Sequence, residues 1–363
     1  MRWLGLSKGL GLAVLIVAQV RLVRAETPAP EPSPVAVSRL GMAAVASSGD
    51  GMRAVDDDPV ICWVPSGPAR PWLAIHLARS AQGPLLAVWS AQGFKYENPE
   101  RAPLDYRWIS STDSTNGSDG HWREAATVTA NGVRVRSDSL DVPGARWLRL
   151  QVDRSPAAGV ALKEVTLVEP AGKGHPDCWF MLGDSITDAA FNGVPTHDLR
   201  KVVRASVPGL DPVLMDGATG GDSTKQAMGH WALAADRCPP GCFVGIAFGT
   251  NDAANALPLA TYRTNLQTLL AAVRASGRVP MLARIPWYPQ PRLPDYLAVV
   301  DALVRENGLP AGPDLHTWFR DHPDELKADR IHPTEEGRRS IQRLWGTAIA
   351  GAYRRALNDP GAR

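Results

Sequence analysis

Phe180–Asp188 reads "FMLGDSITD". An apolar run stops abruptly at a glycine, an acid and a serine. Taken alone, Ser185 in such a place is a solvated turn serine or a helix N-cap. A serine becomes a nucleophile only if other segments deliver a base and an acceptor of developing charge, so the rest of the chain decides the reading.

The same rhythm recurs downstream. "CWFML" precedes Gly183, "PVLM" precedes Asp216, "FVGIAF" precedes Gly249 and "VPMLARI" precedes Pro286. Between these strand-like runs lie helical ones at Ser223–Asp236, Leu259–Gly277 and Pro294–Gly308. In the second, Leu266, Leu269, Leu270 and Val273 share one helical face, and Gly277 serves as C-cap. Such alternation predicts a parallel sheet flanked by helices, in which ligands sit beyond the carboxyl ends of the strands. Three of those ends carry unusual polar residues: Gly183-Asp184-Ser185, then "DGATGGDST" with Gly220, Gly221 and Asp222, then "GTND" at Gly249–Asp252. Late in the chain comes "DRIHP", Asp329–Pro333, before an amphipathic helix running from Thr334 to about Arg354.

Acyl transfer needs a hydroxyl nucleophile, a base, a group orienting the base, and donors for the oxyanion. Each has a candidate. Ser185 offers an exposed Oγ, His332 can take its proton, and Asp329 can hold the other ring nitrogen if the segment turns. The Ser185 N–H, the Gly221 N–H and the Asn251 amide could converge on one point. Asp184 orders the loop more than it does chemistry, and Asp184, Gly220, Asp188 and Asn192 are candidates to line the site. His230, His316 and His322 read as core or surface histidines.

"GDS", then a glycine, then "GTND", then "DxxHP" resembles the SGNH (GDSL-type) hydrolases in all four signature blocks, in their order, over about 180 residues. The resemblance implies a flavodoxin-like three-layer α/β/α fold. It also implies Ser185 as nucleophile, His332 as base, Asp329 as orienting acid, and Ser185, Gly221 and Asn251 as the oxyanion hole. The family's glycine usually precedes an Asp-Thr or Asp-Ser pair. Gly221 fits that placement, with Gly220 as the fallback. Asp216 stands where many relatives have asparagine.

Upstream the pattern is all-β. Short runs at Pro71–Ala78, Pro84–Ala91, Asp105–Ser111, Trp122–Val128, Arg146–Asp153 and Leu162–Glu169 are separated by turn-formers such as "STNGSDG". Leu148, Leu150 and Val152 would face one way, Arg149 and Gln151 the other. This spacing predicts a sandwich. The turn Asp119-Gly120-His121-Trp122 and the later strand Arg146–Leu150 make the region similar to discoidin-type, galactose-binding-like jelly rolls, which implies either glycan binding or a structural role. Trp63, Trp72, Trp89, Trp108, Trp122 and Trp147 are mostly at strand positions and read as core, leaving fewer than two for stacking on sugar.

The N-terminus reads as a secretory signal: Arg2 and Lys8, the apolar Gly9–Ala18, and "VRA" ending at Ala25. About ten apolar residues are too few to span a bilayer, which takes roughly 20. The expected organisation is signal peptide 1–25, proline-rich linker 26–46, β-sandwich 47–170, linker 171–176, catalytic domain 177–357 and tail 358–363. In a secreted or periplasmic protein, four cysteines become disulfide candidates. Cys238 and Cys242 in "CPPGC" suggest a local bridge, which leaves Cys62 with Cys178, although four cysteines allow three pairings.

The chain has 363 residues, 44% hydrophobic and 21% charged, with net charge +2. Near-neutrality and the lack of a basic run argue against nucleic acid. No later segment is apolar enough to span a membrane, and no cofactor or metal is implied. Nothing fixes the oligomeric state. The expectation is an exported serine esterase removing acyl groups, chiefly acetyl, from carbohydrate or another small ester. The alternatives are a lipase, thioesterase or arylesterase, and, in another class, a glycan-binding protein with a vestigial hydrolase fold.

Overall fold

The computed structural model describes residues 34–358, apart from 36, 40, 41, 68, 69, 171–174 and 240. The expected signal peptide, residues 26–33 of the expected linker, and the tail beyond 358 lie outside the described residues.

Among the described residues, the first half holds ten strands: β1 (Pro34–Val35), β2 (Val37–Arg39), β3 (Met42–Ala46), β4 (Trp72–Leu77), β5 (Leu85–Ala91), β6 (Asp105–Ser111), β7 (Arg123–Val128), β8 (Val135–Leu140), β9 (Trp147–Arg154) and β10 (Leu162–Pro170). Nine of them make two antiparallel sheets, ordered β2-β10-β5-β8 and β3-β4-β9-β6-β7. Alternation in β9 sends Leu148, Leu150 and Val152 into the core between the sheets, where Trp63, Trp89 and Trp108 are buried. That core encloses one carboxylate. Asp138 Oδ2 accepts from Trp89 Nε1 (3.0 Å), Trp108 Nε1 (2.8 Å) and the Tyr106 hydroxyl (2.8 Å), and Arg136 Nε pairs with Oδ1 at 2.9 Å. Four donors offset the cost of burying the charge.

Strand β5 does not alternate in sequence because both of its faces are buried. Leu85, Ala87 and Trp89 enter the sandwich core, whereas Leu86 and Val88 point the other way and join the core of the second half. The two halves therefore share apolar packing.

The second half begins with β11 (His175–Pro176), parallel to β1. A five-stranded parallel sheet follows, formed by β12 (Cys178–Gly183), β13 (Val213–Asp216), β14 (Phe243–Ala247), β15 (Val279–Arg284) and β16 (Ala311–Asp314). Its order, β13-β12-β14-β15-β16, is that of a flavodoxin-like doubly wound sheet. The helices are α1 (Ser185–Asn192), α2 (His197–Ser206), α3 (Thr224–Ala234), α4 (Thr250–Ala254), α5 (Leu259–Ala275), α6 (Leu293–Glu306), α7 (Leu315–Asp321) and α8 (Glu335–Asn358). In β12, Phe180 and Leu182 pack with α3, α5 and α6, and Trp179 and Met181 with α1, α2, α7 and α8. Two buried faces explain the unbroken apolar run before Gly183. No helix among the described residues is long and apolar enough to cross a membrane.

Three expectations change. Strand β3 lies inside the stretch read as linker, because Met42–Ala46 extends the second sheet against Leu77–Leu73 of β4. Strand β8, "VRSDSL", gave no apolar signal because one of its inward positions is taken by Asp138, a carboxylate buried by partners from elsewhere in the chain. No disulfide forms among the described residues. Cys238 and Cys242 are buried with their thiols hydrogen-bonded, and burial pushes the Cys238 thiol well up. Cys178 faces the same core as that pair, whereas Cys62 sits near Lys163 and Arg101, so the Cys62–Cys178 staple is not made.

Candidate active site

The nucleophile candidate sits where β12 turns into α1. A Cβ on Gly183 would lie 2.2 Å from Thr187 Oγ1 and 3.0 Å from the Ala247 carbonyl oxygen, so the close approach of β14 and α1 requires glycine. Asp184 caps α1 by accepting the Ile186 N–H at 3.0 Å. Its carboxyl is pushed up to about 6 by burial, against the lowering effect of the Ile186 N–H and the Thr250 hydroxyl. Ser185 is the first residue of α1, and its Oγ lies 2.9 Å from His332 Nε2.

The segment before α8 does turn, with Arg330 in the left-handed region at φ +59°. Asp329 Oδ1 accepts the N–H groups of Ile331 (2.9 Å) and His332 (3.0 Å), and Oδ2 lies 2.8 Å from His332 Nδ1. The Ile331 N–H, the His332 N–H and the imidazole hold this carboxyl well below the usual carboxylate range. The His332 and Asp329 side chains are 40% and 46% exposed, which places the relay on an open rim.

The donor blocks approach from the neighbouring strands. Gly249, between β14 and α4, is the N-cap of α4 at φ +138°, and a Cβ there would fall 2.4 Å from Ile285 Cδ1. Asn251 lies in α4, and its Nδ2 donates to the Asp222 carbonyl oxygen at 2.7 Å. Asp252 anchors α4 to the start of α3 by accepting the Thr224 N–H (3.1 Å) and hydroxyl (2.6 Å). Gly221 adopts φ +85°, and a Cβ on Gly220 would stand 3.8 Å from Ser185 Cβ, which sets this glycine pair beside the nucleophile candidate.

Asp188, expected to line the site, is turned elsewhere. It accepts from Asn192 Nδ2 (3.0 Å) and from Arg134 Nη2 (2.9 Å), a residue of the β-rich half. The same Arg134 nitrogen reaches Asp216 Oδ2 (2.7 Å) and the Ala218 carbonyl oxygen (2.9 Å). This accounts for an acid at 216, because a buried guanidinium needs carboxylate partners. Burial and Asp216 push the Asp188 carboxyl up to about 7, against the lowering effect of Arg134. Asn192, the other lining candidate, takes Lys163 Nζ on its carbonyl (2.8 Å) and Oδ1 (2.6 Å). Sequence reasoning missed Arg134, whose only signal was a cation between Val133 and Val135.

On the outer face of the second sheet, the Arg149 guanidinium lies 4.0 Å from the Trp122 ring centroid and 4.7 Å from that of Trp72. These are the two partly exposed tryptophans of the sandwich, the other four being buried.

Residues 181–339 match the GDSL-like lipase/acylhydrolase family. The chain therefore carries an acylhydrolase domain of that family, the domain of an enzyme acting on carboxylic esters. Similar solved structures include a variant of an acetyl xylan esterase from Geobacillus stearothermophilus, 20% identical, covering 47% of this chain and 94% of that one, with TM-score 0.41. A lipase/acylhydrolase from Enterococcus faecalis is 24% identical, covering 48% and 96%, with TM-score 0.40. A chitosan-binding module of a chitosanase/glucanase from Paenibacillus sp. IK-5 is 20% identical, covering 35% and 95%, with TM-score 0.30. No curated protein matches the chain.

Proposed function

We propose that this GDSL-like acylhydrolase is an exported serine esterase that releases small acyl groups, chiefly acetyl, from carbohydrate. The observation carrying the reading is the relay from Ser185 Oγ to His332 Nε2 at 2.9 Å and from His332 Nδ1 to Asp329 Oδ2 at 2.8 Å. Ser185 attacks the ester carbonyl as His332 takes its proton, and Asp329 holds the imidazole in the tautomer whose Nε2 can accept. The Ser185 N–H, the Gly221 N–H and the Asn251 amide stabilise the oxyanion. His332 then protonates the departing alcohol. Water attacks the acyl-enzyme with His332 again as base, and the acid is released.

A carbohydrate alcohol is supported by the open rim, where the half-exposed imidazole leaves room for a bulky polar leaving group. Export rests on the leader read at residues 1–25. The test is acetate release from acetylated polysaccharides beside hydrolysis of long-chain acyl esters, with Ser185→Ala as control. Acetate release by the wild type that is abolished in Ser185→Ala supports the reading. Preference for long acyl chains replaces it with a lipase. Full activity in Ser185→Ala removes the serine mechanism.

A further inference from the structure

The glycine turn beside Ser185 is gripped by the β-rich half. The Tyr96 N–H donates to Thr219 Oγ1 at 2.9 Å, and Thr219 Oγ1 lies 3.3 Å from Glu97 Oε2. Glu97 Oε2 is also 3.0 Å from His230 Nε2, and His230 Nδ1 is 3.0 Å from Asp222 Oδ2. His230 belongs to α3 and is 5% exposed. Thr219 and Asp222 bracket Gly220 and Gly221, and the Asp222 carbonyl takes the Asn251 amide. One sandwich carboxylate thus accepts from Thr219 at one end of the glycine turn and, through the His230 ring beside it, comes close to the Asp222 side chain at the other.

We propose that Glu97, acting with His230, is a positioning residue for the oxyanion hole; this rests on the serine-esterase reading above. Oxyanion donors work only when held in place before charge develops. Two adjacent glycines lack side chains to fix their own backbone, and Gly221 takes a left-handed conformation with open space around it. The turn's own hydrogen bond runs from the Asp222 N–H to the Thr219 carbonyl at 3.3 Å, and the grip on the Thr219 hydroxyl, with His230 packed beside Asp222, adds a side-chain constraint to it. The β-rich half thereby takes part in catalysis without touching the substrate.

The test is a double-mutant cycle in the full chain between Glu97→Ala and Asn251→Ala, read as kcat and KM on a chromogenic acetyl ester, with thermal midpoints alongside. Glu97→Ala should lower kcat about tenfold or more with KM nearly unchanged, as expected when a transition-state contact is lost. In the Asn251→Ala background the same change should cost clearly less, because both act on one hole. Glu97→Gln, which keeps an acceptor for the Thr219 hydroxyl and His230, should recover part of the rate. Equal losses in both backgrounds, a wild-type kcat in Glu97→Ala, or a kcat loss that merely follows a fallen midpoint each overturn the proposal. A wild type without Ser185-dependent activity overturns the esterase reading and this proposal with it, whereas an active wild type with an additive cycle overturns this proposal alone.

Discussion

Arg134 Nη2 lies 2.7 Å from Asp216 Oδ2, which joins the sandwich to the carboxyl end of β13 through a buried ion pair. Removing one partner of such a pair strands the other charge, at a typical cost of about 3–5 kcal/mol. Arg134→Met should lose stability of that order in urea unfolding, and Asp216→Asn added to it should restore part by removing the stranded carboxylate. A loss under about 1 kcal/mol in the single variant would count against the pair.

The buried acids set a pH dependence. Asp188 rises from 3.8 to about 7 and Asp184 from 3.8 to about 6, so between these values the native state holds protons that the unfolded chain has lost. Stability from these groups is therefore greatest at the acid end of each window and falls as pH rises through it. Asp329 works in the opposite sense. Its lowered pKa favours the native state above the ordinary carboxylate range, and that contribution fades as pH falls through its folded value. Unfolding midpoints from pH 4 upward should decline more in the wild type than in Asp188→Asn.

Asn251→Ala removes a side-chain donor while leaving the relay intact. A single oxyanion donor is typically worth about 10²–10³ in turnover, so kcat on an acetyl ester should fall by that factor with KM little changed. A loss below about fivefold would show that the Asn251 amide is not such a donor.

Asp329→Asn should leave the turn in place, because the amide oxygen can still accept the Ile331 and His332 N–H groups. Its NH₂ would then favour the imidazole tautomer protonated at Nε2, which cannot take the serine proton. Loss of kcat by up to about 10⁴ is the expected scale for this error, with labelling of Ser185 by a fluorophosphonate slowed in parallel.

The residues of the four blocks could be read from the chain because their chemistry is local. Gly183, Asp184 and Ser185 end an apolar run buried on both faces, and Gly249 starts α4 at a conformation only glycine takes readily. The register of Asp329 to His332, three residues apart, needs only one turn to bring acid and imidazole together. Asp188 was misplaced for the complementary reason. Its direction is set by Arg134, which lies 54 residues away in sequence.

The sequence by itself determined a parallel α/β half, a β-rich half, and which side chains could serve as nucleophile, base and donors, since periodicity and residue chemistry travel with the chain. Only the tertiary structure decided the cysteine partners, the direction of Asp188, and the contact of Glu97 and Arg134 with the catalytic half. These depend on which faces of β5, β8 and β10 pack against that half, and burial of both faces of a strand erases the alternation that would have announced it.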